Sequence, residues 1–437
     1  DWAYSRGAGL CIVEGDVTIS NCIISDNKIE ANGRYQNQRG AGIATWSSEL
    51  FIENSEISRN LMIHNGNNDI NRWGGGLWRD GGGTTNLVNV TVAYNEAQGL
   101  YRENGTINSY NSIIWGNEWN DSGSSRYYYY SNVQSCDNHG GSICKDPWFV
   151  NSDAGDYSLI PGSVCINRGA PSENYSFIDE DEDGTRRDMG RYIHEHTYTG
   201  TVWHVSPDGD LLTGDGSEAN PLSSILAAIN FANEGDEIIL SEGTYTGKGN
   251  YDIYFLGKAL TLHSLGDPED TIIDLENNSP HRAFVFEPHV HYGGASSETI
   301  IENITIANAY HEVDYDRYGG AVYIYQSSPT FNNCIIRDNE INHVWNNRSI
   351  RGAGVYMHQS GSAFTGCQIT GNTLRSSHDD WAYSRGAGLC ISEGDVAISN
   401  CIISDNKIEA NGRYQYQRGA GIATWSSELF IENSEIS

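Results

Sequence analysis

The sequence is poor in basic residues and contains no long apolar run. Lys and Arg together number 26, against 57 Asp and Glu, which gives a formal net charge of -31 at pH 7. This charge repels polyanions, so nucleic acid is not an expected partner. No stretch approaches the roughly 18 consecutive apolar residues of a membrane-spanning helix, so membrane insertion is not expected either.

The most informative feature is the duplication of a long segment. Residues 1–58 recur as residues 380–437 with three differences, in which Val13, Thr18 and Asn37 correspond to Ser392, Ala397 and Tyr416. Near-identity over this length indicates a recent duplication of a large unit. We expect the chain to cover slightly more than one unit of a parent protein that holds several in tandem.

A shorter period runs inside each unit. An apolar residue follows a Gly-rich turn every 33 or 34 residues, at Val322, Val355, Leu389 and Ile422 in one unit and at Leu10, Ile43 and Leu77 in the other. A shorter step of 22 residues separates Asn95 from Asn117. Because about 22 residues with β-branched alternation suffice for a coil of three short strands, we expect the additional residues of longer periods to form loops, such as 28–39 and 340–351.

Each period ends at an asparagine. Stacked coils place equivalent side chains at the strand spacing of roughly 4.8 Å, so these amides can hydrogen-bond to one another in a column. The pattern therefore predicts a structural ladder formed by Asn27, Asn60, Asn95, Asn117, Asn339, Asn372 and Asn406.

Two further patterns mark where a unit begins and ends. One unit opens on Trp-His-Val-Ser-Pro-Asp-Gly at residues 203–209 and continues with Gly-Asp-Glu-Ile-Ile-Leu-Ser-Glu-Gly-Thr-Tyr at 235–245. The other closes on Asp-Pro-Trp-Phe-Val at 146–150 and Asp-Met-Gly at 188–190. With the coil periods, these patterns resemble the secreted right-handed parallel β-helix proteins of the pectate-lyase-like superfold. The resemblance implies an all-β solenoid and an extracellular or cell-surface location.

The same patterns predict the domain organisation. We expect the C-terminal coils of a first β-helix unit at residues 1–125, its irregular end region at 126–199, an N-terminal cap of the second unit at 200–250, and coils of that unit at 251–437. Within the cap, Leu222, Ile225, Leu226 and Ile229 follow helical spacing. Ser223 or Ser224 can cap the start and Gly235 the end, which predicts a helix of about ten residues over the open end of the coils.

An acidic segment near the end of the first unit is a candidate calcium site. Asp179, Asp181 and Asp183, followed by Gly184, match the first half of a calcium loop of the EF-hand kind. The place of that loop's final bidentate Glu is taken by Gly190. A structural calcium ion is one interpretation and a solvated acidic turn is the other; no further cofactor is required.

Five of the nine cysteines fall into two groups. Cys334, Cys367 and Cys401 recur at the coil period inside apolar strands, which predicts a buried stack of free thiols. Cys136 and Cys144 lie eight residues apart across a polar turn. A local disulfide between them and a pair of free thiols remain equal alternatives.

Arginines recur just before the Gly-rich turns, with aromatic residues nearby. These side chains can contact one another within the unit, contact a neighbouring domain laterally, or form a saccharide-binding strip. The candidate ligand or lateral-contact residues are Tyr35, Arg39, Trp46, Trp73, Trp78, Trp345, Arg351, Tyr383, Arg385, Tyr414, Arg418 and Trp425.

No catalytic residue is assigned. Polysaccharide lyases of the resembled superfold hold calcium with clustered carboxylates beside a basic residue. Here the outward positions after the Gly-rich turns are instead Tyr323, Tyr356, Cys390, Ala423 and Trp78, and the chain has only five Lys. That departure disfavours lyase chemistry.

The sequence therefore favours a structural module of an extracellular or cell-surface fibre, stalk or adhesin, which assembles with copies of itself end to end or laterally. A structural array multiplies a useful surface by duplication, whereas an enzyme gains little from a second copy in series. The alternative is a glycan-binding protein or a polysaccharide-degrading lyase or hydrolase, with polysaccharide as its partner.

Overall fold

The chain forms two compact units of stacked, parallel strands, Asp1–His196 and Thr197–Ser437. The structure, a computed structural model, describes residues 3–31, 36–64, 71–119, 126–134, 140–171, 175, 178, 180–181, 185–277, 280–288, 298–313, 317–344, 348–376, 382–410 and 415–437. The predicted all-β parallel solenoid is confirmed. Within the described part of the chain, no helix has the length and apolar character needed to cross a membrane.

In the first unit, four parallel sheets follow the coils. The largest contains Leu100–Arg102, Leu77–Asp80, Ile43–Glu53, Thr84–Val88, Thr106–Tyr110 and Arg126–Tyr129, with Leu10–Ser20 also paired to Ile43–Glu53. The next contains Asn132–Val133, Ile113–Trp115, Thr91–Ala93, Glu56–Ser58 and Ile23–Ser25. The smaller two contain Ala3–Arg6, Gln36–Arg39 and Arg72–Trp73, and Lys28–Ala31 and Leu61–His64.

In the second unit, three sheets line the coils. The first sheet contains Val202–Asp210, Glu237–Leu240, Thr261–Ser264, Ile300–Glu302, Thr330–Asn332, Ala363–Thr365, Asp395–Ser399 and Glu428–Glu432. The second sheet contains Gly243–Tyr245, Thr271–Asp274, Thr305–Ala307, Ile335–Arg337, Gln368–Thr370, Ile402–Ser404 and Glu435–Ile436. The third sheet contains Ile253–Tyr254, Phe284–Phe286, Val322–Tyr325, Val355–His358, Leu389–Ser392 and Ile422–Trp425.

The segments 28–39 and 340–351, predicted as loops, contain strands at Lys28–Ala31, Gln36–Arg39, Glu340–His343 and Arg348–Arg351, so that prediction is corrected for the described residues. In the second unit they form two arm sheets. The inner arm sheet contains Tyr310–Val313, Glu340–His343, Thr373–Ser376 and Lys407–Ala410, and the outer arm sheet contains Arg317–Tyr318, Arg348–Arg351, Ala382–Arg385 and Gln415–Arg418. Ile341, Leu374 and Ile350 bury their side chains in a second apolar cluster, which is the physical reason that these segments are ordered as strands.

The interior of the second unit consists of in-register columns of apolar side chains. Ile301, Phe331, Phe364 and Ile398 are paired in successive coils of the first sheet, and each is fully buried. The rings of Phe331 and Phe364 lie 5.0 Å apart and almost parallel, with an interplanar angle of 3°. Each such burial contributes about 1.5–3 kcal/mol, so the column is a large part of the stabilising free energy.

The asparagines at the coil corners form hydrogen-bonded columns. The side-chain amide of each donates to the side-chain oxygen of the next at 2.8–3.0 Å, in the series Asn27, Asn60, Asn95, Asn117 and the series Asn339, Asn372, Asn406. The same oxygen also accepts the backbone amide of the preceding asparagine, for example from Asn60 to Asn95 at 3.1 Å. One side chain per coil therefore satisfies polar groups that the corner would otherwise bury unpaired.

The cap of the second unit contains a shorter helix than predicted. The helix spans Ile225–Phe231, with Ser224 as its N-cap accepting a hydrogen bond from the backbone amide of Ala227 at 3.3 Å. It ends at Ala232, and Gly235 lies beyond it. All seven helical residues are buried, so the helix has no solvent-facing stripe. The side-chain oxygen of Asn250 accepts the backbone amide of Ile225 at 3.0 Å, and its side-chain nitrogen donates to the carbonyl oxygen of Thr246 at 3.0 Å.

The remaining regular elements lie outside the coils. In the first unit, Phe149–Asn151 pairs with Asp156–Leu159, and this is an antiparallel pair in a structure whose other strand pairings are parallel among the described residues. A 3-10 helix at Ser152–Ala154 connects the two strands. A second 3-10 helix, Pro268–Asp270, precedes a strand of the second sheet in the second unit.

We predict that Asn372→Ala lowers the free energy of unfolding of the second unit by about 2–3 kcal/mol, because it removes the buried oxygen that accepts the side-chain and backbone amides of Asn339. Urea unfolding followed by circular dichroism measures the loss. The control is Asn332→Ala, which removes a half-buried amide that donates to Glu302 at 2.6 Å, and which we expect to cost less than about 1 kcal/mol. Equal losses would contradict a special role for the corner ladder.

Candidate functional site

The arginines before the Gly-rich turns form a column on the outer arm sheet. Tyr318, Arg351, Arg385 and Arg418 are paired in successive coils. The Arg351 guanidinium lies 4.9 Å from the ring centroid of Tyr318 and 4.6 Å from that of Trp425, and Arg385 lies 5.2 Å from Trp425. These distances allow cation–π attraction within the arm, at Tyr318, and between the arm and the third sheet, at Trp425.

Behind this column, the third sheet carries a second column, whose members are Tyr254, Val285, Tyr323, Tyr356, Cys390 and Ala423. The sequence predicted outward positions here. Their side chains point away from the coil interior, and yet Tyr356 is 5% exposed and Cys390 is fully buried. The ring of Tyr318 on the outer arm sheet stacks on that of Tyr356 at 5.0 Å, so the arm covers this outward position.

The first unit repeats this arrangement with tryptophans. The Arg39 guanidinium lies 5.2 Å from the ring of Trp73 and 4.8 Å from that of Trp78, and it forms an ion pair with Glu103 at 3.3 Å. Arg6 lies 5.1 Å from the ring of Trp46. Arg39 is 7% exposed and Trp78 is fully buried, so neither can contact an external glycan or a lateral neighbour, and both are removed from that candidate set.

The other candidates of the Arg-aromatic set are distributed differently. Tyr383 and Tyr416 stack at 5.1 Å on the outer arm sheet, and Tyr416 is 44% exposed. Arg418 is exposed. The half-buried members of the set are Trp46, Trp73, Arg351, Arg385 and Trp425. Tyr35, Trp345 and Tyr414 lie outside the described residues.

The calcium candidate falls largely outside the described residues, because Asp179 and Asp183 are not among them. Asp181 is 4% exposed, and its carboxylate forms an ion pair with Arg187 at 3.0 Å and accepts the backbone amide of Asp188 at 3.0 Å. In the part of the chain that is described, no group of three or more His, Cys, Asp or Glu could hold a metal ion. Calcium binding here stays a prediction.

The cysteines show both expected environments. Cys334, Cys367 and Cys401 are buried free thiols, and the backbone amide of Cys367 donates to the sulfur of Cys401 at 3.3 Å. Burial raises the pKa of the Cys390 thiol, on the neighbouring third sheet, to about 12. Cys144 is in a disulfide, and Cys136 lies outside the described residues.

A pocket lies at one end of the column on the third sheet. It has a volume of about 310 Å³ and is lined by Tyr254, Arg282, Val285, Glu287, Arg317, Tyr318 and Tyr323. The Arg282 guanidinium donates to the carbonyl oxygens of Gly319 and Tyr318, both at 2.8 Å, and lies 5.1 Å from the ring centroid of Tyr323. Neutral carbonyl groups and one aromatic ring therefore hold its charge in place.

Polar contacts on the neighbouring strand fix the position of Arg282. The Asp252 carboxylate accepts the backbone amide of Arg282 at 3.1 Å and lies 2.7 Å from Nδ1 of His281. Burial, followed by repulsion from Arg317, lowers the pKa of the half-buried Arg282 to about 10. At neutral pH the guanidinium is still protonated. Arg317 and Glu287 are the other charged residues among the described residues that line the pocket.

The sequence analysis did not select Arg282, Glu287 or Tyr254. Their coils lack the repeated Gly-rich turn, so no period pointed to them. Only the strand pairing of the third sheet reveals that Tyr254, Val285 and Tyr323 lie in one column.

A buried histidine lies behind this pocket. His311 is fully buried, and its Nε2 lies 2.8 Å from the carbonyl oxygen of Gly320. Burial and the nearby Arg317 charge lower the pKa of His311 to about 3, with Arg282 acting in the same direction and Asp252 opposing. The imidazole is therefore neutral in the folded protein across the physiological range.

Comparisons with known proteins add little to this picture. No protein-family model matches the chain, and no curated protein matches its sequence. Among solved structures, the chain is similar to the pectin methylesterase of Aspergillus niger at 14% identity, over 55% of this chain and 91% of that chain, with a TM-score of 0.21. A likeness of this size carries no functional argument, so function is argued from the residues of the chain itself.

We predict that Arg39→Gln destabilises the first unit by about 2 kcal/mol, because it removes a buried guanidinium from between two indole rings. The duplication supplies a matched control, since Arg418 occupies the same position in the repeated segment but is exposed. Arg418→Gln should change stability by less than about 0.5 kcal/mol. Hydrogen exchange of the strands that contain each residue reports the two effects separately. A larger effect at Arg418 would refute this account of the buried contacts.

We predict that His311 makes the second unit less stable in acid. The unfolded chain binds a proton at His311 below about pH 6.5, whereas the folded chain does so only near pH 3, so stability falls as pH decreases through this window. Between pH 7.5 and pH 5 the loss from this residue is about 2 kcal/mol.

Urea unfolding of the protein and of its His311→Gln variant at both pH values isolates this contribution. The variant should lose less stability on acidification than the original chain. The half-buried His204 is the control position, and His204→Gln should keep the original pH dependence. Identical pH dependence in the original chain and the His311→Gln variant would exclude a buried neutral imidazole.

Proposed function

We propose that the chain is a rigid structural module of an extracellular or cell-surface protein built from tandem β-helices, and that the module assembles with copies of itself. One observation carries the proposal: the duplicated segment has the same register in both places. Ala3–Arg6 pairs with Gln36–Arg39, and Ala382–Arg385 pairs with Gln415–Arg418, residue for residue. Duplication has thus repeated a coil in the same register, with three substitutions in 58 residues.

The internal contacts support a mechanical role. The corner asparagines, the apolar columns and the Arg-aromatic contacts join each coil to the next through side chains as well as through the strand pairings. In a solenoid, each coil contacts only its neighbours, so stability grows with the number of such interfaces. A chain held in this way suits a fibre, stalk or adhesin.

The disulfide supports the proposed location. Cys144 is disulfide-bonded, and disulfides persist mainly in oxidising surroundings such as the cell exterior. The acidic net charge of -31 favours solubility at such a surface and disfavours association with nucleic acid.

We predict that the protein forms regular filaments at high concentration. Electron microscopy of the isolated chain, with light scattering over a range of concentrations, measures the assembly. We expect filaments with an axial repeat set by one or two units, because near-identical coils present similar contact surfaces. Particles that stay monomeric and dispersed at every concentration would rule out self-assembly, while leaving a structural role as a single stalk segment open to a separate test.

A second candidate function is glycan binding, with the pocket at Arg282 as the supporting observation. Aromatic rings and convergent polar groups in a concave site are typical of small-ligand sites. Degradation is less well supported, because glycoside hydrolysis ordinarily uses a pair of carboxylates, and Glu287 is the one carboxylate among the described residues that line the pocket.

A further inference from the structure

The duplication places the same coil in two environments. Residues 36–58 of the first unit recur as residues 415–437, which form the last coil of the second unit. Ile52 is fully buried, whereas the equivalent Ile431 of the last coil is 38% exposed. Because the two isoleucines have the same neighbours in sequence, the difference in exposure comes from what lies against the coil.

In the first unit, the cover of this coil is the coil of residues 71–93. Ile52 pairs with Leu87, and Ile57 pairs with Val92, and all four side chains are fully buried. The structure therefore shows what this coil face binds, which is an apolar coil stacked in register.

The first coil of the chain, residues 3–31, exposes the opposite face. It recurs in the second unit as residues 382–410, where the coil of residues 348–376 lies against that face. Leu389 is fully buried there, whereas the equivalent Leu10 of the first coil is 37% exposed. This face too is seen once with its cover and once without it.

The exposed faces of the last coil and the first coil match position by position. In the first unit, the residues of the covering coil 71–93 that stand in the interior columns are Leu77, Thr85, Leu87 and Val92. The residues of the first coil in the same columns are Leu10, Val17, Ile19 and Ile24. A first coil placed against a last coil would therefore continue every one of these columns with an apolar side chain.

Unpaired strand edges accompany both faces. Among the described residues, Glu428–Glu432 and Glu435–Ile436 are the last strands of their sheets, and each pairs on one side only. Leu10–Ser20 and Ile23–Ser25 likewise pair on one side only. An unpaired strand edge is a template for pairing with another chain. In a parallel ladder the two edges differ, and the last coil presents one kind while the first coil presents the other.

We propose that the last coil of one copy binds the first coil of a second copy, so that the parallel sheets and the apolar columns continue from one molecule into the next. This inference rests on the proposed function, self-assembly, and adds to it the contact surface and its direction. The two faces are different, so the contact is heterologous. Each added copy leaves one face of each kind at the ends of the assembly, and growth therefore continues beyond a pair.

Charge substitutions on the two faces test the contact. Ile431→Lys alters the face of the last coil, and Leu10→Lys alters that of the first coil. Each should raise the dissociation constant of self-association by at least about a hundredfold, because burying an unpaired charge is costly. Leu265→Lys is the control and should leave it unchanged, since Leu265 is 79% exposed but belongs to neither coil.

Sedimentation velocity over a range of concentrations measures the assembly of the full chain and of each variant. A buffer with about 0.5 M salt screens the repulsion between copies that each carry a net charge of -31. If Ile431→Lys does not fold, as judged by circular dichroism, Ile436→Lys replaces it, since Ile436 is 48% exposed on the same face.

Mixing the two variants makes the test specific. The Ile431→Lys chain keeps an intact first coil, and the Leu10→Lys chain keeps an intact last coil. Each variant alone should stay monomeric, whereas an equimolar mixture should form one-to-one dimers and no longer assemblies.

Three outcomes would overturn the proposal. If the original chain assembles and both variants assemble equally well, or if Leu265→Lys prevents assembly as they do, the assigned faces are wrong while self-assembly stands. If the mixed variants form no dimer, the two faces do not bind each other. If the original chain stays monomeric at every concentration, the proposed self-assembly fails together with this contact.

Discussion

The coil-to-coil stacking of identical side chains is the constraint on which the rest of the structure depends. At each corner, an asparagine must lie directly above the next, because its oxygen accepts two amides from the preceding coil. A shift of one residue in any coil would break both contacts and turn apolar side chains out of the interior. The ladder therefore fixes the register, and the fixed register aligns the columns of Phe331 and Phe364 and of the arm arginines.

The same constraint explains the second layer. An isolated strand of four residues is not stable, but the arm strands stack on one another at the spacing that the coils impose. Once stacked, they cover the outward column of the third sheet at Tyr356, and Arg351 and Arg385 lie against the ring of Trp425 at that boundary. The Arg-aromatic pattern therefore serves mainly to pack the arm against the third sheet. Its exposed remainder, such as Tyr416, is what a neighbouring molecule could contact.

The sequence predicted the features that repeat and missed those that depend on another layer. The corner asparagines and the coil strands recur at fixed spacing, so a single sequence samples each position several times. The arm strands were not predicted, because a strand such as Glu340–His343 has one apolar residue, Ile341. The burial of Ile341 depends on Leu374 in the next coil. The burial of Trp78 was not predicted for the same reason. Its side chain points away from the coil interior, and it is buried by the layer outside the coil.

In a repetitive fold, a pocket can form where the repeated arrangement of side chains is interrupted. Along the outer arm sheet, the Arg351 guanidinium lies 4.9 Å from the ring centroid of Tyr318. Arg317–Tyr318 is the first arm strand among the described residues, and its two residues help to line a pocket with Arg282 and Tyr323. None of the residues that line this pocket lies in the duplicated segments 1–58 and 380–437. The uniform surface and the pocket therefore belong to different coils, so a substitution at the pocket leaves the duplicated surface unchanged.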